Sequence, residues 1–133
     1  MIAPDTPCHM SGECSVENFR PGVMDRLGIG YNTLSAQNPG LIYASVSGFG
    51  QHGPHASRPA FDSLLQAAGG LISVTGPAAE NAASSGEGRV RVGVSIVDIC
   101  SGLHALIAVL AALHYRTLTG RGAPNAPRLT DRV

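Results

Sequence analysis

Asp98 is the titratable residue whose setting most clearly points to chemistry. It falls in the first turn of a predicted helix, between Gly93-Val94 and Ser101-Gly102. The N-terminal end of a helix favours a negative charge, and the small neighbours would leave room for a substrate. A carboxylate in this place could attack an activated acyl group as a nucleophile. First-turn aspartates are also common helix caps, and spacing alone favours that simpler role.

A loop rich in glycine and proline follows the best strand pattern of the chain. It contains Gly48, Gly50 and Gly53-Pro54, together with His52 and His55. Such loops often let the backbone of an α/β protein approach a ligand. The spacing fits neither G-x-G-x-x-G nor Walker A, so a plain turn remains the simpler interpretation. The two histidines have no third ligand nearby, and we predict no metal site there.

Arginine supplies all nine basic side chains and is balanced by nine acidic ones, which gives zero net charge and a pI near 7.0. This balance disfavours nucleic acid and anionic membranes as partners. Arginine binds phosphates and carboxylates through two hydrogen bonds. Arg20 and Arg26 could therefore hold a phosphate, although exposed arginines without a ligand are more common.

The elements that must position these residues follow from periodicity and turn signals. Phe61, Leu64, Leu65 and Ala68 recur at helical spacing and predict one apolar helix face. The predicted elements are a short helix from Pro21 to Leu27, a helix from Tyr31 to Ala36, a strand from Leu41 to Ser47, a helix from Phe61 to Ala68 and a long helix from Ser95 to Leu118.

The long helix carries the strongest pattern. Ser95 is its predicted N-cap, and Asp98 follows three residues later, close to a capping box. Its apolar run, Ile99 to Leu113, is shorter than the roughly 20 residues that cross a bilayer. We therefore expect a buried helix and no membrane association.

The chain of 133 residues is long enough for one domain. We expect a loose leader at residues 1–15, a domain at 16–122 and a tail at 123–133. Three cysteines without a C-x-x-C pair predict no disulfide framework and a cytoplasmic location.

Several motifs occur in one order: V-E-N-F-R-P-G-V-M-D-R-L-G (Val16 to Gly28), N-P-G-L-I-Y-A-S-V-S-G-F-G-Q-H-G-P (Asn38 to Pro54), R-P-A-F-D (Arg58 to Asp62), G-V-S-I-V-D (Gly93 to Asp98) and T-L-T-G-R-G (Thr117 to Gly122). In this order and spacing the chain resembles the class III CoA-transferases, the formyl-CoA and carnitine CoA-transferase-like enzymes. The resemblance implies an α/β fold, the central part of a Rossmann-like large domain, with one long buried helix.

The resemblance also implies roles for particular residues. Asp98 would attack the donor thioester to form a mixed anhydride, and CoA thiolate would then convert the anhydride into an aspartyl-CoA thioester. The residues in positions that the family uses to hold CoA are Asn18, Phe19, Arg20 and Arg26. The residues expected to border the thioester are Ser47, Gly48, Phe49 and Gly50.

Acyl-CoA and a carboxylic acid are the implied substrates, with CoA as a substrate and no permanently bound cofactor. Family members are much longer and form homodimers, so we expect an interior fragment that lacks the strand normally preceding Val16. Two alternatives stay open: an α-methylacyl-CoA racemase-type isomerase and a non-catalytic remnant. Racemases carry a histidine where this chain has Phe61, which cannot exchange a proton, and this favours CoA transfer.

Overall fold

The computed structural model describes residues 14–76 and 88–122. Its elements in chain order are β1 (Cys14–Glu17), α1 (Val23–Arg26), α2 (Tyr31–Gln37), β2 (Ile42–Ser45), α3 (Asp62–Ala68), a 3-10 turn (Leu71–Val74) and α4 (Ile96–Thr119). The predicted helices and the predicted strand are confirmed to within a few residues. The α/β class is confirmed as well, because the two strands of a parallel sheet are separated and followed by helices along the chain.

β1 and β2 form a parallel two-stranded sheet in which Cys14 is opposite Ile42 and Glu17 is opposite Ser45. β1 corrects two expectations. Cys14 and Ser15 belong to a strand and not to a leader, and the strand that we expected to be missing before Val16 begins at Cys14. The four residues of β1 carry too little pattern to predict a strand, and pairing with β2 is what fixes their conformation. The rest of the expected leader and the expected tail lie outside the described residues.

Side chains from the two faces of β2 pack in different layers, because successive residues of a strand point to opposite sides. Tyr43 packs with Leu34 and Leu41, and with Tyr31 at 5.9 Å between ring centroids. Ala44 packs on the other side against Ala108 of α4. The sheet therefore lies between α1 and α2 on one face and α4 on the other.

α4 meets the sheet through small residues and leaves its large ones exposed. Its buried residues are Ala105, Ala108 and Ala112. Another face carries an apolar stripe at alternating spacings of four and three residues, composed of Ile99, Leu103, Leu106 and Leu110, each 52–56% exposed. The expectation of a buried helix is thus wrong for the described residues.

The length of α4 agrees with the expectation, because the predicted and the observed helix both span 24 residues. By length and composition alone the helix could cross a membrane, because it continues beyond the apolar run from Ile99 to Leu113 at both ends. Helices in the cores of globular proteins meet the same criterion.

We predict that the isolated chain self-associates through the apolar stripe, because a contiguous row of exposed large apolar side chains favours association. Size-exclusion chromatography with light scattering should give a mass above 13.6 kDa. Replacing Leu106 and Leu110 by glutamate should shift the mass towards the monomer. Replacing exposed Thr117 and Thr119 by glutamate is the matched control and should not. A monomeric wild-type chain would contradict the prediction.

Candidate functional site

Two segments of the site predicted from sequence emerge at one edge of the sheet. β1 and β2 are parallel, so Asn18–Arg20 and Ser47–Gly50 both leave the sheet at its carboxyl edge, where α/β proteins bind ligands. α4 runs antiparallel to β2, since Arg116 near its end donates a hydrogen bond to the Gly40 carbonyl at 3.1 Å. Asp98 precedes the sheet-packed Ala108 by ten residues, about 15 Å along the helix towards the same edge.

The N-terminus of α4 is held by a side chain distant in sequence. The Oδ1 atom of Asp62 accepts a hydrogen bond from Val97 N at 2.9 Å and a longer one from Asp98 N at 3.4 Å. Ser95 occupies the N-cap position, but its side chain makes no capping hydrogen bond. The predicted N-cap position of Ser95 is confirmed, but the capping acceptor is the carboxylate of Asp62 at the start of α3 and not the Ser95 hydroxyl.

Gln66, one turn after Asp62, completes this arrangement. Its Nε2 atom donates to Asp62 Oδ2 at 2.6 Å, and its Oε1 atom accepts a hydrogen bond from Val92 N at 2.9 Å. Asp62 and Gln66 are 7% and 0% exposed. The two side chains thus bind the segment leading into α4 to α3.

The predicted helix α3 is confirmed, but its apolar face is not the buried face within the described residues. Phe61 is 68% exposed and Leu64 is 36% exposed, whereas the polar pair Asp62 and Gln66 is buried. The i, i+4 spacing of this pair is a visible sequence signal, but its partners lie more than 25 residues further along the chain. Sequence reasoning therefore missed Asp62 and Gln66 as residues that build the site.

Asp98 is exposed on the first turn of α4. Among the residues that the structure describes, its carboxylate has no hydrogen-bond partner. The backbone N–H groups of Val97 and Asp98, which it could otherwise accept from, donate to Asp62 instead. A free carboxylate beside the positive end of a helix is available for nucleophilic attack.

The loop after β2 approaches α3 closely. A Cβ atom on Gly48 would clash with the side chain of Ala60, so only glycine fits there. Gly50 is buried and has a φ of 80°, a conformation that favours glycine. Phe49 stacks edge-on with His55 at 6.0 Å and carries the Arg58 guanidinium 5.8 Å from its ring centre. These contacts fix the loop beside the start of α3.

A cleft of about 240 Å³ opens at the same edge, between the strand ends and α1 and α2. Its lining includes Glu17, Arg20, Tyr43, Ser45 and His52. Arg26 of α1 is exposed and does not contribute to this lining. The structure thus places only one of the two predicted phosphate-binding arginines in the cleft.

The strand-end residues next to the cleft are held in place by local hydrogen bonds. Glu17 is 8% exposed and accepts a hydrogen bond from Phe19 N at 2.7 Å, which fixes the turn of Asn18. Gln51 Nε2 donates to Ser47 Oγ at 3.4 Å.

Within residues 14–76 and 88–122, no group of three or more metal-ligating side chains comes together.

Comparison with a family model and with known sequences gives matches to CoA-transferases. The model of CoA-transferase family III matches residues 13–124. The acetyl-CoA:oxalate CoA-transferase of Acetobacter aceti is 47% identical over 107 residues, which are 80% of this chain and 26% of that protein. The human succinyl-CoA:glutarate CoA-transferase is 38% identical over 107 residues, 80% of this chain and 23% of that protein.

Solved structures give the same result. A CAIB/BAIF family protein from Brucella suis superposes with a TM-score of 0.79 at 37% identity, over 90% of this chain and 30% of that one. Rv3272 from M. tuberculosis superposes with a TM-score of 0.76 at 34% identity, over 90% of this chain and 31% of that one. The chain spans about a quarter of the length of the curated relatives it matches.

Tyr43, which lines the cleft, provides a prediction about pH. Burial, followed by the nearby charges of Glu17 and Asp25, raises the pKa of Tyr43 to about 12. The folded state therefore keeps the phenol protonated while the unfolded chain ionises near pH 10. The free energy of unfolding should fall by up to roughly 3 kcal/mol between pH 10 and 12.

Denaturant titrations at several pH values, with tyrosinate absorbance, measure this effect. Tyr43→Phe should remove the dependence and Tyr115→Phe, at a half-exposed tyrosine, should leave it. If Tyr43 ionises near pH 10 in the folded chain, its burial in the cleft is incorrect.

Proposed function

The chain belongs to CoA-transferase family III, and from this membership we propose that it forms the nucleophile-bearing part of an enzyme that moves CoA between an acyl-CoA and a carboxylic acid. The supporting observation is the exposed Asp98 carboxylate at the N-terminus of α4, on the edge of the sheet where both strand-end loops emerge. The carboxyl edge of a parallel sheet is where α/β proteins commonly bind ligands, which supports the proposal that the chain is part of a Rossmann-like domain.

The proposed CoA transfer forms and breaks only acyl C–O and C–S bonds, so it requires neither an oxidant nor a metal. An Asp98 oxygen attacks the thioester carbonyl carbon and forms a C–O bond, the C–S bond breaks, and CoA leaves as the thiolate while a mixed anhydride forms between Asp98 and the acyl group. The thiolate then attacks the Asp98 carbonyl carbon, which releases the donor acid as a carboxylate and leaves an aspartyl-CoA thioester. The acceptor carboxylate reverses the two steps, and Asp98 is regenerated.

The strand-end segments would bind CoA. Arg20 in the cleft offers a guanidinium to a CoA phosphate, and Asn18 and Phe19 emerge from the same strand end. The glycines at positions 48 and 50 bring backbone close to the thioester, with Ser47 and Phe49 beside them. A cleft of about 240 Å³ accommodates only part of a CoA molecule, so further binding surface must come from elsewhere.

Racemase chemistry is the first alternative. It requires a proton-exchanging side chain at position 61, and phenylalanine has no exchangeable proton there. A non-catalytic remnant is the second alternative, which the experiment below separates from an enzyme. From family membership we also propose homodimer formation and the absence of a permanent cofactor, and from the cysteine pattern a cytoplasmic location.

Asp98 is tested in a chimera in which residues 14–122 replace the matching quarter of the Acetobacter aceti transferase. We expect turnover of acetyl-CoA with oxalate, and we expect Asp98→Asn or Asp98→Ala to lower kcat at least about a thousandfold. Neither replacement can form an anhydride. Borohydride should reduce the trapped thioester at Asp98 to the alcohol, which peptide mass mapping detects.

Cys100→Ser is the matched control, because Cys100 is an exposed nucleophile two residues away. It should leave turnover unchanged. Turnover that survives Asp98→Asn would contradict the nucleophile assignment, and an inactive but folded chimera would favour the remnant.

CoA binding by the isolated chain should be weaker than micromolar, because Arg20 supplies only part of a phosphate site in the cleft. Calorimetry with CoA measures this affinity. Arg20→Ala should weaken binding more than Arg26→Ala, since only Arg20 lines the cleft. Micromolar affinity that Arg26→Ala abolishes would contradict this placement.

A further inference from the structure

Asp62 is a buried carboxylate that the transfer steps do not consume. Only 7% of its surface is exposed, and both of its oxygens are engaged. Oδ1 accepts from Val97 N and Asp98 N, and Oδ2 accepts from Gln66 Nε2. These bonds join the start of α3 to the start of α4 across 35 residues of sequence.

The first turn of a helix presents N–H groups that attract the nearest carboxylate. Asp98 lies within that turn and is itself a suitable capping residue. Because Asp62 already accepts from the first-turn N–H groups, the Asp98 carboxylate is left exposed and without a partner among the described residues.

We propose that Asp62 is a positioning residue for the nucleophile. It accepts the N–H groups of the first turn of α4, fixes the backbone of Asp98 and prevents the Asp98 carboxylate from capping its own helix. The inference rests on the proposed role of Asp98, but its structural half can be measured without any transfer activity.

Removal of Asp62 has an effect that distinguishes this role from general stabilisation. Without the Asp62 carboxylate, the N–H groups of Val97 and Asp98 lose their acceptor. The Asp98 carboxylate then turns back to accept from them and becomes less reactive. General loosening of the turn would leave Asp98 equally or more reactive. The sign of the change in reactivity therefore separates the two roles.

The experiment labels exposed carboxylates of the full chain with a water-soluble carbodiimide and an amine, and mass spectrometry follows the rate at Asp98. Asp62→Ala should slow labelling of Asp98 about fivefold, which corresponds to one capping interaction. Asp62→Asn keeps an acceptor oxygen and should restore most of the wild-type rate. Ser63→Ala changes an exposed neighbour on α3 and should have no effect.

A parallel measurement uses the chimeric transferase, whose additional chain supports the fold if Asp62→Ala unfolds the isolated chain. There Asp62→Ala should lower kcat at least tenfold with the KM for acyl-CoA unchanged, and Asp62→Asn should recover most of it. Equal or faster labelling of Asp98 in folded Asp62→Ala, or an unchanged kcat, would overturn the inference. Turnover that persists in Asp98→Asn would instead overturn the proposed function, and the labelling result would still decide whether Asp62 caps α4.

Discussion

The hydrogen bond from Val97 N to the buried carboxylate of Asp62 determines where the proposed nucleophile lies. A carboxylate withdrawn from water is stable only when strong donors replace its hydration. Two helix N–H groups and the Gln66 amide supply those donors here. The interaction also fixes the start of α4, and Asp98 follows within the same turn.

The opposite end of α4 is fixed by a different kind of contact. A Cβ atom on Gly122 would clash with the Leu41 backbone, and Gly122 N donates to the Pro39 carbonyl at 3.0 Å. Between the two ends, Ala44 meets Ala108. Alanine against alanine lets helix and sheet approach closely, so small shifts along the helix would cause steric clashes. α4 is thereby anchored at three points along its length, and its N-terminal end is held at the carboxyl edge of the sheet.

Local patterns predicted most elements but not the contacts that assemble them. The periodicity around Leu64 predicted α3, and the apolar run after Asp98 predicted α4. β1 was missed, because a strand of four residues is specified by its partner more than by its own composition. The partners of Asp62 were also missed, because a side chain that caps a helix 35 residues away leaves no periodic signal. The position of Asp98 could be predicted from a sequence motif. The role of Asp62, which binds the backbone at Asp98, is visible only in the folded structure.

The error about burial has a physical reason as well. Helical periodicity predicts which side chains share a face, but it does not identify what covers that face. On α3 the polar face is buried inside the described chain, while Phe61 and Leu64 face outwards. On α4 the alanine face is buried and the apolar stripe is not. Full burial of a leucine or isoleucine contributes about 1.5–3 kcal/mol. The four residues of the stripe are about half exposed, so covering them is worth roughly 3–6 kcal/mol, near the lower end of the stability of a domain. That free energy favours the self-association predicted for the stripe, and Asp98 immediately precedes Ile99, the first residue of the stripe.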